Sequence, residues 1–138
     1  MRFNEQWCLW EKNLDIWYYD LLTNILLEIT CISRESLQKV YKKFPKHLIH
    51  LTFGYHFNDE INFKIPLTVT HLTFGTSYKQ NLYNKIPNSI VYLNLGYVYN
   101  RSIRNCIPNS VKYLNLGVFF NQKLKNSIPK FLESLTFS

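Results

Sequence analysis

Cysteine is scarce in this 138-residue chain, with Cys8, Cys31 and Cys106 forming an odd set without a CxxC spacing. That excludes a disulfide framework and the usual zinc clusters, and suits a reducing compartment. Acidic residues number nine against sixteen lysines and arginines. The start carries Glu5, Glu11 and Asp15 among tryptophans, where a secretory leader needs a basic start and an apolar run. No stretch approaches the ~20 consecutive apolar residues of a membrane span. The expectation is an intracellular, cytoplasmic protein without a membrane partner. Glycine is limited to four residues and proline to five, and where they fall organises the sequence.

The prolines are Pro45, Pro66, Pro87, Pro108 and Pro129, with every gap 21 residues. Nine residues after each of the first four stands Gly54, Gly75, Gly96 or Gly117, and Ser138 holds the fifth place. Apolar residues keep fixed phases in this frame. An LxxLxL pattern runs through Leu48, Leu51 and Phe53, then Val69, Leu72 and Phe74, and onward to Leu132, Leu135 and Phe137. Behind each glycine come an aromatic (Phe57, Tyr78, Tyr99, Phe120), an aliphatic residue (Ile61, Leu82, Ile103, Leu124) and an isoleucine before the next proline (Ile65, Ile86, Ile107, Ile128). A unit this short cannot bury its apolar side alone, so the period predicts a solenoid whose neighbouring coils cover one another. Alternation in each xLxFx segment predicts one short strand per coil, stacked in parallel. The glycine allows a sharp turn after the strand, and the proline fixes the entry to the next coil while holding the preceding isoleucine extended.

Phe57-Asn58-x-x-Ile61 with Ile65-Pro66, Tyr99-Asn100-x-x-Ile103 with Ile107-Pro108, and Phe120-Asn121-x-x-Leu124 with Ile128-Pro129 resemble FNIP repeats, relatives of leucine-rich repeats found in amoebae and the giant DNA viruses that infect them. The resemblance covers residues 45–138 and implies a leucine-rich-repeat-like stack of five coils that binds proteins and supplies no reaction. It also implies that the column of Asn58, Asn100 and Asn121 satisfies backbone groups inside the turn, as buried asparagine ladders do. In the copy at Tyr78-Lys79 the asparagine is missing.

Residues 1–44 are read as an N-terminal helical cap. Trp7, Trp10, Leu14, Trp17, Leu21 and Ile25 follow the spacing of one helix face. Ser33 is a candidate N-cap for a second helix carrying Leu37, Val40, Tyr41 and Phe44. Leu21–Phe44, with LLTNILLEI followed by ESLQKVYKKF, is similar to a shortened F-box, with Leu22 or Thr23 where the usual proline would stand. That similarity implies a ubiquitin-ligase substrate adaptor binding the Skp1 subunit.

Outward strand positions form two ladders, and these are the candidate partner-binding residues: His50, His71, Tyr92 and Tyr113 in one, and Thr52, Thr73, Asn94 and Asn115 in the other, ending in Ser134 and Thr136. Tyrosine supplies contact area at low entropy cost, so this strip is the expected protein-interaction face. His50 and His71 share a column without a third ligand in register, so no metal site is expected. The repeats hold only Asp59, Glu60 and Glu133 as carboxylates, with no GxSxG and no phosphate loop. No enzyme and no cofactor are predicted.

Charge is uneven. Residues 1–35 hold three basic and six acidic groups, and residues 36–138 hold thirteen and three. Lys64 and Lys85 share one phase and Arg104 and Lys125 another, with Arg101 and Lys123 near them. A basic convex back admits an acidic partner or nucleic acid as an alternative. Because Phe137-Ser138 falls in the fifth strand, self-association through an uncapped C-terminal end is a further expectation.

Overall fold

The computed structural model describes residues 14–21, 24–31, 44 and 46–138. Seven strands form one sheet in chain order: β1 (Leu14–Leu21), β2 (Asn24–Cys31), β3 (His50–Phe53), β4 (His71–Thr73), β5 (Tyr92–Asn94), β6 (Tyr113–Asn115) and β7 (Ser134–Thr136). From β2 to β7 every pairing is parallel, and from β3 onward the register advances by the 21-residue period: His50 lies beside His71, His71 beside Tyr92 and Tyr92 beside Tyr113. The predicted solenoid of short parallel strands is therefore the architecture of the repeats.

The coils turn at three corners, and backbone bonds close most of them. At the proline corner the amide of Val69, Ile90 or Val111 donates to the carbonyl of Pro66, Pro87 or Pro108, at 3.0 to 3.2 Å. The glycine corner is closed by Phe57, Tyr78 and Phe120 donating to Gly54, Gly75 and Gly117. A third corner precedes the next proline, where Lys85, Cys106 and Ser127 donate to Leu82, Ile103 and Leu124, each at 3.0 Å. This last turn places Asn84, Asn105 and Asn126 in the left-handed region, with φ of 56°, 57° and 60°. Asparagine tolerates that conformation better than other residues with a Cβ. An asparagine three residues before each of the last three prolines was the available signal for this corner.

The six apolar columns meet inside the triangle. Leu51, Leu72, Leu93 and Leu114 are buried, as are Leu48, Val69, Ile90 and Val111, with Phe57, Tyr78, Tyr99 and Phe120 lining another corner. Aromatic rings continue from coil to coil, Phe57 on Tyr78 at 5.7 Å and Tyr78 on Tyr99 at 6.1 Å between centroids. The glycine column lets backbones approach: a Cβ on Gly75 would stand 1.9 Å from the carbonyl oxygen of Gly54, and one on Gly117 2.0 Å from that of Gly96.

The helical cap needs correction where it falls on described residues. Leu14–Leu21 and Asn24–Cys31 are strands of an antiparallel hairpin, and β2 lies parallel to β3 with Leu27 beside Leu51 and Ile29 beside Phe53. Two causes outweigh the helical spacing. Ile16-Trp17-Tyr18-Tyr19 and Ile25-Leu26-Leu27 are rich in aromatic and branched residues suited to a pleated surface, and the first coil offers a row of unpaired amides and carbonyls that a strand satisfies. The second helix, from Ser33, lies outside the described residues except at Phe44, whose ring packs 5.6 Å from that of Phe63. An F-box is helical, and the strand at Asn24–Cys31 removes that reading from the part of Leu21–Phe44 that is described.

Candidate functional site on the strand face

The strand register brings the predicted ladder together. His50 and His71 stack with centroids 4.2 Å apart, and the ring of His71 stacks on Tyr92 at 5.7 Å. Tyr113 extends the column and is 42% exposed. Its hydroxyl donates to Glu133 Oε2 at 2.8 Å, and Lys112 Nζ donates to Glu133 Oε1 at the same distance. These two donors hold the Glu133 carboxyl below the ordinary carboxylate range.

The second ladder divides. Thr52 and Thr73 are half-buried, while the two asparagines serve the turn that follows them. Asn94 Oδ1 accepts from the amide of Gly96 at 2.9 Å and Asn115 Oδ1 from that of Gly117 at 3.0 Å. Asn115 is itself buried and also holds Ser138. Asparagine bonding an amide two residues on is a local turn device, so these amides are committed to structure. The other asparagine column differs from expectation in the opposite sense. Asn58 and Asn100 are exposed, and each accepts a hydrogen bond from the next coil, Asn58 from Lys79 N and Asn100 from Asn121 N, both at 2.8 Å. The ladder clamps coil to coil at the rim, where the amides of the following coil lie, and needs no burial.

Sequence reasoning missed a ridge beside the ladder. The residues after Gly54, Gly96 and Gly117 turn outward at the coil edge, exposing Tyr55, Tyr97, Val118 and Phe119 by 44 to 60%. Tyr97 and Phe119 meet edge to face at 5.3 Å. Tyr113 is a further exposed aromatic residue on these coils. The signal was the pair of aromatic or β-branched residues behind Gly96 and Gly117, at a phase where the second coil has Thr76-Ser77.

Burial, then the neighbouring His50, lowers the pKa of His71 below the ordinary histidine value. Its Nδ1 lies 2.8 Å from Thr70 Oγ1. A histidine with a depressed native pKa takes up its proton more readily when unfolded, so its contribution is complete above the unfolded value of about 6.5 and declines as pH falls below it. Urea midpoints measured between pH 7.5 and 5 should fall, and His71→Gln should flatten the profile; an unchanged slope in that variant would reject the assignment.

Among the described residues no three His, Cys, Asp or Glu side chains gather as metal ligands, and no helix is long and apolar enough to cross a membrane. An open groove of about 510 Å³ runs between the corners at Pro66 and Pro87, with Phe63, Leu67 and Ile86 among its lining. Its only charged groups are Lys64 and Lys85, which offers no acid, base and nucleophile in one place.

The coil geometry has counterparts among known proteins. The model of the FNIP repeat matches residues 38–77, 63–98 and 99–138. A solved structure, "The crystal structure of CroV588 a novel circular LRR protein structure", superposes with a TM-score of 0.62 and 40% sequence identity. The match covers 68% of this chain and 14% of that one. No curated protein matches the chain. The family match extends from residue 38 to the last strand, over coils whose proline, glycine and asparagine corners repeat in register, and the chain belongs to the FNIP repeat family.

Proposed function

We propose that the chain is a protein-interaction module whose strand face, from β3 to β6, docks a partner protein. The stacked ladder of His50, His71 and Tyr92 leading to the exposed Tyr113 carries this reading. A rigid parallel sheet fixes these rings without further ordering on binding, and aromatic side chains are enriched among residues that dominate interface energies. The ridge of Tyr97, Val118 and Phe119 enlarges the apolar part of the surface. Residues 1–44 act in this scheme as the cover of the first coil, supported by the pairing of β2 with β3.

The test is affinity capture from source cells with the intact chain and with Tyr92→Ala/Tyr113→Ala, followed by titration of the captured partner. The double variant should lose about 100-fold or more in affinity, since hot-spot truncations cost about 2 kcal/mol or more each. Its melting profile should stay close to the parent, because neither phenol reaches the core. Full affinity in a folded double variant would end the proposal.

A further inference from the structure

Between the glycine corner and the asparagine corner, residues 79–84, 100–105 and 121–126 occupy the same stretch of three successive coils. They carry Lys79, Arg101, Arg104, Lys123 and Lys125, all exposed, and not one carboxylate. Arg104 and Lys125 occupy the same phase of adjacent coils, which stack about 4.8 Å apart. Among the described residues, the ion pairs are Lys85 with Glu60 and Lys112 with Glu133, so none of these five cations is neutralised there. Arg101 reaches back to donate from Nε to the carbonyl of Lys79, which sets its terminal guanidinium nitrogens over the preceding coil. Arg104 and Lys125, the pair of these cations in register, repel each other across neighbouring coils, and an anion lying between them would relieve that repulsion.

We propose that this surface binds the sugar-phosphate backbone of a nucleic-acid strand without sequence preference. The surface distinguishes this ligand from an acidic protein. Protein interfaces are built around a buried apolar centre with a polar rim. Between residues 100–105 and 121–126 every exposed residue is polar: the four cations, Ser102, and asparagines 100, 105, 121 and 126. A phosphate backbone needs only cations and amide donors, since its affinity comes from counterion release. Tyr83, 55% exposed, holds on the first of these coils the phase that Arg104 and Lys125 hold on the next two, and a ring on which any base can stack adds no sequence preference. This site is separate from the strand-face ladder and does not depend on it.

The probe is a fluorescein-labelled 20-nucleotide oligouridylate followed by anisotropy in the intact chain. Binding should weaken with salt with a slope of about −0.7 per phosphate contact in a log–log plot. Arg101→Gln/Arg104→Gln/Lys123→Gln/Lys125→Gln should bind at least about tenfold more weakly at low salt and have a slope shallower by about 2 to 3. Lys46→Gln/Lys130→Gln, which alters net charge away from the patch, should remain within about twofold of the parent, as should Tyr92→Ala/Tyr113→Ala. Retained binding in the folded quadruple variant overturns the proposal. An equal loss in either control variant does so as well, because general charge or the strand face would then carry the binding. Displacement of the RNA by polyglutamate at equal charge concentration assigns the surface to acidic polypeptides and overturns it too.

Discussion

Gly96→Ala should lose about 3 kcal/mol or more of unfolding free energy, read as a lower urea midpoint against the parent chain. Two independent effects add at this position. The backbone has φ of +81°, where an L side chain costs about 1 to 2 kcal/mol. The added methyl would also stand 2.2 Å from the carbonyl oxygen of Gly75. Backbone cannot rotate away as a flexible side chain can, so the coil that begins at this turn must lift from its neighbour. Lifting weakens the bonds from Leu95 and Val98 to the flanking coils, at 2.9 and 3.2 Å. In a stack where each coil is supported only by those beside it, such damage separates the array into two parts. A Gly96→Ala chain that melts within about 0.5 kcal/mol of the parent would show that the stacking tolerates a side chain here.

The aromatic column gives the second large effect, with a change of sign inside one site. Tyr78 is fully buried between Phe57 and Tyr99, with Phe74 stacked at 4.1 Å. Tyr78→Ala should cost about 3 to 5 kcal/mol, the range for emptying an aromatic site in a core. Yet the hydroxyls of Tyr78 and Tyr99 have no hydrogen-bond partner among the described residues, and a buried unsatisfied group costs about 1 to 3 kcal/mol. Tyr78→Phe removes that cost and keeps the ring, and should raise stability by about 1 kcal/mol. Burial first, then the neighbouring Tyr99, pushes the Tyr78 phenol well above its ordinary range. A raised native pKa keeps the tyrosine contribution complete below the unfolded value of about 10 and erodes it as pH climbs beyond. Alkaline unfolding should therefore shift to higher pH in Tyr78→Phe. Equal destabilisation by Phe and Ala would mean that the hydroxyl has a partner essential to the fold.

The repeat body was legible because its determinants are local and periodic. Pro66, Pro87 and Pro108 mark corners that lie where the 21-residue frame puts them, and the leucines at Leu72, Leu93 and Leu114 are buried in one column. The N-terminal hairpin was not legible, because the apolar spacing from Leu14 to Ile25 satisfies a helix face while the edge of β3 supplies partners that only a strand can use. Tertiary demand decided between two locally acceptable states. The candidate site was half visible. His50, His71, Tyr92 and Tyr113 lie where alternation places them, but alternation does not report hydrogen bonding. It gave no sign that Asn94 and Asn115 are engaged by the amides of Gly96 and Gly117, nor that Tyr97 and Phe119 turn outward beyond the strand.

The asparagine clamp from one coil to the next has a consequence for how such molecules change length. Asn58 holds Lys79 and Asn100 holds Asn121, each contact joining residues 21 apart by way of the amide of the later residue. Because an amide is common to every amino acid, the receiving coil needs no matching side chain. Any unit can be spliced behind one that carries the asparagine, and copy number becomes a free variable whose increments are whole turns of about 4.8 Å. The strand-face ladder can thus be lengthened or shortened one rung at a time behind any coil that carries the clamp.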